Sequence, residues 1–125
     1  MNPSGERGSA VAEALVVTAF VLALFLGVVQ VALAAHVRAL AIDAAAEGAR
    51  VAARADRGPA DGVARTRELL AGSLTAGYAR RVTAAETTLN GLPVIEVEVT
   101  TPLPVVGLIG PPGGVTVRGH ALEEP

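Results

Sequence analysis

A single carboxylate near the start of a long apolar run is the first feature of this sequence that could do chemistry. Glu13 lies five residues after Gly8, and no residue from Ala14 to Val37 is Asp, Glu, Lys or Arg. As a helix this run would reach about 36 Å, enough to cross a hydrocarbon core of about 30 Å. A carboxylate costs about 2.5–3.5 kcal/mol at the centre of such a helix and less near its end. The spacing predicts a transmembrane helix with an acid at its amino end, where the helix dipole favours negative charge.

The remaining reactive residue types do not form a catalytic pattern. His36 lies at the end of the apolar run and His120 in a late strand pattern, and the chain has no cysteine. We find no metal-ligand spacing, no phosphate-binding loop and no nucleophile elbow, and the GPPGG stretch at 110–114 is typical of a turn. The sequence therefore predicts no catalytic residue, no cofactor site, no metal site and no enzymatic activity.

Composition narrows the class of protein further. The chain has 125 residues and a net charge of −2, and its ten basic residues, all arginine, are interspersed with acids. A basic face is lacking, so we expect no nucleic-acid partner. Both phenylalanines, Phe20 and Phe25, fall in the apolar run. The remainder is rich in Ala, Val and Gly, which predicts a shallow core that neighbouring subunits could complete.

The helical pattern continues beyond the apolar run. Val37, Leu40, Ala41, Ala44, Gly48, Val51 and Ala52 recur along one stripe, and Arg38, Asp43, Glu47, Arg50 and Arg54 lie mainly on the other side. The glycine and proline that follow Arg57 predict the end of this helix. We expect one helix over 9–57, apolar in its first half and amphipathic in its second.

Beyond residue 58 the pattern predicts a small mixed domain. Residues 60–78 have the spacing of a second, shorter helix. Strand patterns follow at about 81–89, 94–101 and 115–122, the first two joined by a four-residue loop around Asn90 and Gly91. The predicted fold class is α+β, with a long N-terminal helix, a short helix and a small antiparallel sheet.

The order of these features resembles the class III signal of type IV pilin-like proteins. It consists of a polar leader (1–8), Gly8, an acid five residues later and an unbroken apolar helix. Within that group the chain resembles the TadE-like family, minor pseudopilins of the Flp (tight adherence) pilus. The residues that carry the likeness are RGSAVAEALVVTAFVLALFLGVVQ at 7–30 and AIDAAAEGARVAAR at 41–54.

This resemblance implies both processing and partners. A prepilin peptidase would cut between Gly8 and Ser9 on the cytoplasmic side and leave Glu13 at the fifth mature position. That carboxylate would pair with the new amino terminus of Ser9, in its own or a neighbouring chain; the alternative is an interfacial acid that only supports the first helical turn. The implied partners are the peptidase, other pilin and pseudopilin subunits, the Tad assembly platform and membrane lipid. The resemblance places residues 58–125 outside the cytoplasm as a separate small domain.

A second group could act in assembly. Gly48 could allow close helix–helix approach, with Glu47 and Arg50 pairing across subunits. The alternative is a solvated helix face with one tolerated glycine. The apolar loop from Leu103 to Ile109 either touches a membrane or another pilin, or covers the core of its own domain.

Two other functions remain open at this stage. Ala32 and Ala34 are small residues before a possible signal-peptidase cut, which would make the chain a small secreted protein. Alternatively, it is a single-pass membrane-anchored accessory protein that never polymerises.

Overall fold

A computed structural model describes residues 3–73, 81–102 and 114–125 of the chain. Within these ranges the chain forms helix α1 (Pro3–Ala52) and helix α2 (Pro59–Ser73). Three strands follow, β1 (Arg81–Leu89), β2 (Leu92–Thr101) and β3 (Val115–Leu122). The predicted α+β class, with one long apolar helix, one short helix and a small antiparallel sheet, is confirmed.

Helix α1 has two halves with different surroundings. In the first half the side chains of Leu15, Phe20 and Phe25 are each more than 60% exposed. From Val37 onward one side of the helix packs against α2 and the sheet, and Ala41 and Ala45 are fully buried there. The apolar stripe in the second half of the helix therefore faces the core of the chain.

Both ends of α1 differ from the predicted bounds of 9 and 57. The helix already begins at Pro3, because proline suits a first helical turn and Glu6 places an acid there. At its other end Arg54 N–H donates to Val51 O at 3.4 Å, three residues back. This tighter turn ends the helix at Ala52.

Helix α2 starts soon after this turn. The carboxylate of Asp61 accepts a hydrogen bond from Gly58 N–H at 2.9 Å, which caps the first turn. The structure describes this helix to Ser73. The last part of the predicted helix, 74–78, and the apolar loop Leu103–Ile109 lie outside the described residues.

The sheet has the order β1-β2-β3, and both pairs are antiparallel. Strands β1 and β2 stay paired up to Leu89 and Leu92, so the connecting loop has two residues and not the predicted four. Asn90 and Gly91 have φ angles of 51° and 80°, the left-handed pair that a type I′ turn requires. The turn chemistry therefore begins β2 earlier than the alternating pattern indicated.

The core lies between the second half of α1, helix α2 and one face of the sheet. Ile95, Val97 and Val99 are buried on that face, whereas Glu96 and Glu98 point to the other. Alanines of α1 supply most of the opposite wall, which makes the core thin. Its buried members are Ala41, Ala44, Ala45, Ala49, Ala52, Ala53, Leu70, Val82, Ile95, Val97, Val99 and Val117.

Candidate functional site

The amino-terminal residues singled out by the sequence all lie on α1. Gly8, Ser9 and Glu13 are exposed, and Ser9 and Glu13 are four residues apart, on the same side of the helix. Among the described residues Glu13 makes no ion pair. The part of the chain that the structure describes therefore offers this carboxylate no cationic side-chain partner.

The first half of α1 has the properties of a membrane span. In its most apolar 18-residue window the mean hydropathy is 2.6, and none of that window is buried within the chain. Thr18, one of the few polar side chains here, donates its hydroxyl to Ala14 O at 2.7 Å. That bond satisfies the hydroxyl inside the helix, so Thr18 costs little in lipid.

The folded part of the chain follows the apolar segment without a linker. Val37, at the end of the uncharged run, is only 4% exposed, and Arg38 is the next charged residue. A helix with this much unburied apolar surface needs lipid or other helices around it. Among the described residues α1 is the one helix long and apolar enough to cross a membrane, and its exposed apolar half indicates single-pass anchoring, with the small α+β domain directly after it.

The second predicted group lies where α1 crosses α2. Gly48 is buried, and an added Cβ would come within 2.8 Å of Gly62 O and would also strike the Thr66 side chain. The close approach at Gly48 is therefore made to α2 of the same chain. Glu47 and Arg50 form an ion pair of 3.4 Å within one chain.

Three residues that complete this packing were not recognised in the sequence. Gly62 lies against Gly48, and the hydroxyl of Thr66 donates to Gly62 O at 2.8 Å. Gly119 of β3 lies so close to Ala45 that an added Cβ would be 2.5 Å from its carbonyl carbon. Small residues four apart in a helix and a glycine inside a strand are signals that could have indicated these contacts.

The outer face of the sheet carries a small charged cluster. Arg118 Nε lies 3.0 Å from Glu98 Oε2 and 3.7 Å from Glu96 Oε1, and His120 Nε2 lies 2.7 Å from Glu96 Oε2. This face points away from α1, so the structure does not bring His120 to His36. Within residues 3–73, 81–102 and 114–125 no group of three or more His, Asp or Glu side chains could hold a metal ion.

A comparison with known families finds a match, and it lies on α1. Residues 8–50 match the family model described as TadE-like protein. The match begins at Gly8 and ends near the end of α1, so it spans the apolar half and most of the buried half of the helix. It confirms, over these residues, the resemblance to the TadE-like family, which is associated with the Tad pilus system. No curated protein and no solved structure matches the chain.

Proposed function

We propose that the chain is a minor pseudopilin of a Flp-type pilus, cut by a prepilin peptidase between Gly8 and Ser9. The observation that carries this proposal is the position of Glu13. It lies five residues after Gly8, at the start of the apolar part of α1, whose most apolar window is not buried within the chain. Such a helix can move from lipid into a bundle of similar helices without exposing new apolar surface to water.

Cleavage would create the cation that Glu13 lacks. The new α-amine of Ser9 would sit at the positive end of the helix dipole, where a positive charge is disfavoured. A carboxylate one helical turn further on offsets that penalty. In a bundle that excludes water, an unpaired carboxylate would be costly, so an amine from a neighbouring chain is its natural partner.

The remaining parts of the proposal concern topology and partners. The amino terminus faces the cytoplasm, where the peptidase cuts, and the domain formed with α2 and the sheet lies on the other side of the membrane. The mature chain joins other pilin or pseudopilin subunits through the Tad assembly platform and contributes to pilus assembly and adhesion. The arrangement of the outer domain directly on the span supports this role, because it leaves the whole apolar half of α1 available to neighbours.

The mature amino terminus tests the proposal. Mass spectrometry of the protein from membranes of its native host should give Ser9, free or methylated, as the first residue. An intact Met1 would indicate a membrane-anchored accessory protein, and a start near Ala35 would indicate a secreted one. Either result would overturn the proposal.

A matched pair of leader variants sharpens this experiment. A Cβ added at Gly8 or at Gly5 meets nothing within 4 Å and both positions are exposed, so we expect both leucine variants to fold. Gly8→Leu should abolish the cut, whereas Gly5→Leu should leave it unchanged. Equal processing of the two variants would show that the glycine before Ser9 is not recognised.

A further inference from the structure

The second half of α1 has one side that lies away from the core and is largely exposed, with β3 reaching only its edge at Ala46. We call it the free face, and it is formed by Ala39, Asp43, Ala46 and Arg50. Ala39, Asp43 and Arg50 are exposed and Ala46 is half-buried, whereas the alanines on the opposite side are in the core. Residues seven apart return to nearly the same side of a helix. The free face is therefore a continuous strip beyond the apolar span.

Charges on this strip follow a fixed order. On the free face Asp43 is followed seven residues later by Arg50; beside it Glu47 is followed seven residues later by Arg54, which lies in the turn just beyond the end of α1. In both cases the acid is nearer the membrane span and the base is further from it. Two parallel copies placed level with each other would set acid against acid and base against base.

These charges are available for a partner. Among the described residues Asp43 and Arg54 make no ion pair. Arg50 pairs with Glu47 at 3.4 Å, but its side chain is 71% exposed. An exposed pair three residues apart on a helix contributes little, so a neighbouring chain can replace it at small cost.

We propose that the free face docks on a second copy of this chain, parallel to the first and displaced outward along the helix axis. Seven residues correspond to about 10 Å. With this displacement Arg50 of one copy meets Asp43 of the next, so the two charged residues of the strip face a residue of opposite charge. Ala39 of the displaced copy comes level with Ala46, and two small side chains allow the helices to approach closely.

This inference rests on the proposed function, because a shared membrane anchor is what holds the copies parallel. The pairing of Glu13 with the amine of Ser9 in a neighbouring chain needs a displacement in the same direction. Four residues separate those groups, or about 6 Å along the helix. Long arginine and glutamate side chains cover the difference between the two displacements. The two contacts can therefore exist in one assembly.

Disulfide cross-linking between two tagged copies tests the displacement. The chain has no cysteine, so Ala39→Cys in one copy and Ala46→Cys in the other are the only thiols of these chains, and the two tags distinguish mixed links from links between like copies. Bond formation needs Cα atoms within about 7 Å. After mild oxidation of native-host membranes, the yield of the disulfide between residues 39 and 46 should be several-fold higher than the yield between two copies of residue 39 or two copies of residue 46. Equal or stronger linking of the level pairs, or no link between copies, would overturn the inference.

Charge reversal tests the role of the two ionic residues. Asp43→Arg and Arg50→Asp should each lower the 39-to-46 link several-fold, because each sets like charges against each other. The double variant should restore it. Arg50→Asp also removes the pair with Glu47, and the double variant keeps that loss, so recovery reports only the contact between copies. The proposal would be contradicted if the double variant did not restore the cross-link, or if the single variants did not lower it.

Two controls separate this inference from the proposed function. Glu68→Arg breaks an exposed ion pair of α2 with Arg65 and should leave the cross-link unchanged. The mature amino terminus is measured in the same membranes. If the mature chain begins at Ser9 but the cross-links join equal positions, or no cross-link forms, only the proposed displacement is overturned. A different amino terminus overturns the proposed function whatever the cross-links show.

Discussion

Gly48 and Gly62 lie backbone to backbone where the two helices cross. A Cβ added at Gly48 would be 2.8 Å from Gly62 O, and one added at Gly62 would be 2.9 Å from Gly48 O. The fit is reciprocal, so neither helix can accept a side chain at this point without moving. The crossing brings Thr66 over Gly48, where its hydroxyl also reaches Ala44 O at 3.3 Å.

We therefore expect Gly48→Ala to destabilise the domain. The new methyl group would meet the Gly62 carbonyl and the Thr66 side chain, and overpacking of this kind costs about 1–3 kcal/mol. Denaturant unfolding of the full chain in detergent, followed by circular dichroism, measures the loss. Gly72→Ala is the control, because it adds a methyl group into open space and alanine is the better helix former. Equal stability of the two variants would show that the helices separate easily.

Gly119→Ala should be at least as harmful as Gly48→Ala. Its Cβ would lie 2.5 Å from the Ala45 carbonyl carbon and 2.5 Å from Ala46 N, and backbone atoms cannot rotate away as a side chain can. The sheet would have to lift from α1. The same unfolding measurement applies, with the added expectation that amide hydrogens in β3 exchange faster. Unchanged exchange would mean that the sheet does not rest on α1 as described.

Substitutions in the hairpin turn should change stability through backbone strain and not through packing. Gly91 has a φ of 80° but open space around its Cβ position, so Gly91→Ala should destabilise by backbone strain alone, by about 1 kcal/mol. Asn90→Gly should be nearly neutral, because glycine adopts the same left-handed conformation. Thermal unfolding of both variants measures the difference. A harmless Gly91→Ala would argue against a type I′ turn.

Glu124, near the carboxyl terminus, forms hydrogen bonds with the turn that follows α1. Glu124 N–H donates to Ala53 O at 2.8 Å, and its carboxylate accepts from Ala55 N–H at 3.2 Å. Removing residues 123–125 should free both groups, at a cost of about 0.5–1.5 kcal/mol per hydrogen bond. Hydrogen exchange should then speed up at residues 53–58. Glu123→Ala is the control, because the bond of that residue to Pro93 O uses its backbone and survives the substitution.

Replacement of Glu13 tests the assembly proposal. Glu13→Ala should leave membrane insertion and cleavage intact, since it removes a charge from the apolar helix, but it should abolish co-purification with other pilus proteins. Glu6→Ala removes an acid from the segment that the proposed cut would remove and should have no effect on co-purification. Normal association of the Glu13 variant would show that the carboxylate is not needed between chains.

Much of the fold was accessible from the sequence because its signals are local. An uncharged run ending at Val37 is typical of a membrane span, a buried helix or a signal sequence, and period-two alternation around Val97 predicts a strand with one covered face. The stripe that continues past the span also predicted which side of α1 is buried. The ends of elements were less accessible. Ala52 ends α1 through a tightened turn, and Asn90 with Gly91 closes the hairpin in two residues rather than four.

The candidate site divides in the same way. The separation of Gly8 and Glu13 and their place before an apolar run are properties of the chain itself, and so is the acid-before-base order of Asp43 and Arg50. The sequence by itself does not determine which side of α1 remains open for a neighbour. Gly48 looked equally suited to contact another subunit, and only its proximity to Gly62 shows that it is used within the chain. Distant segments decide that contact, since a helix face is covered only when elements far along the sequence fold back onto it.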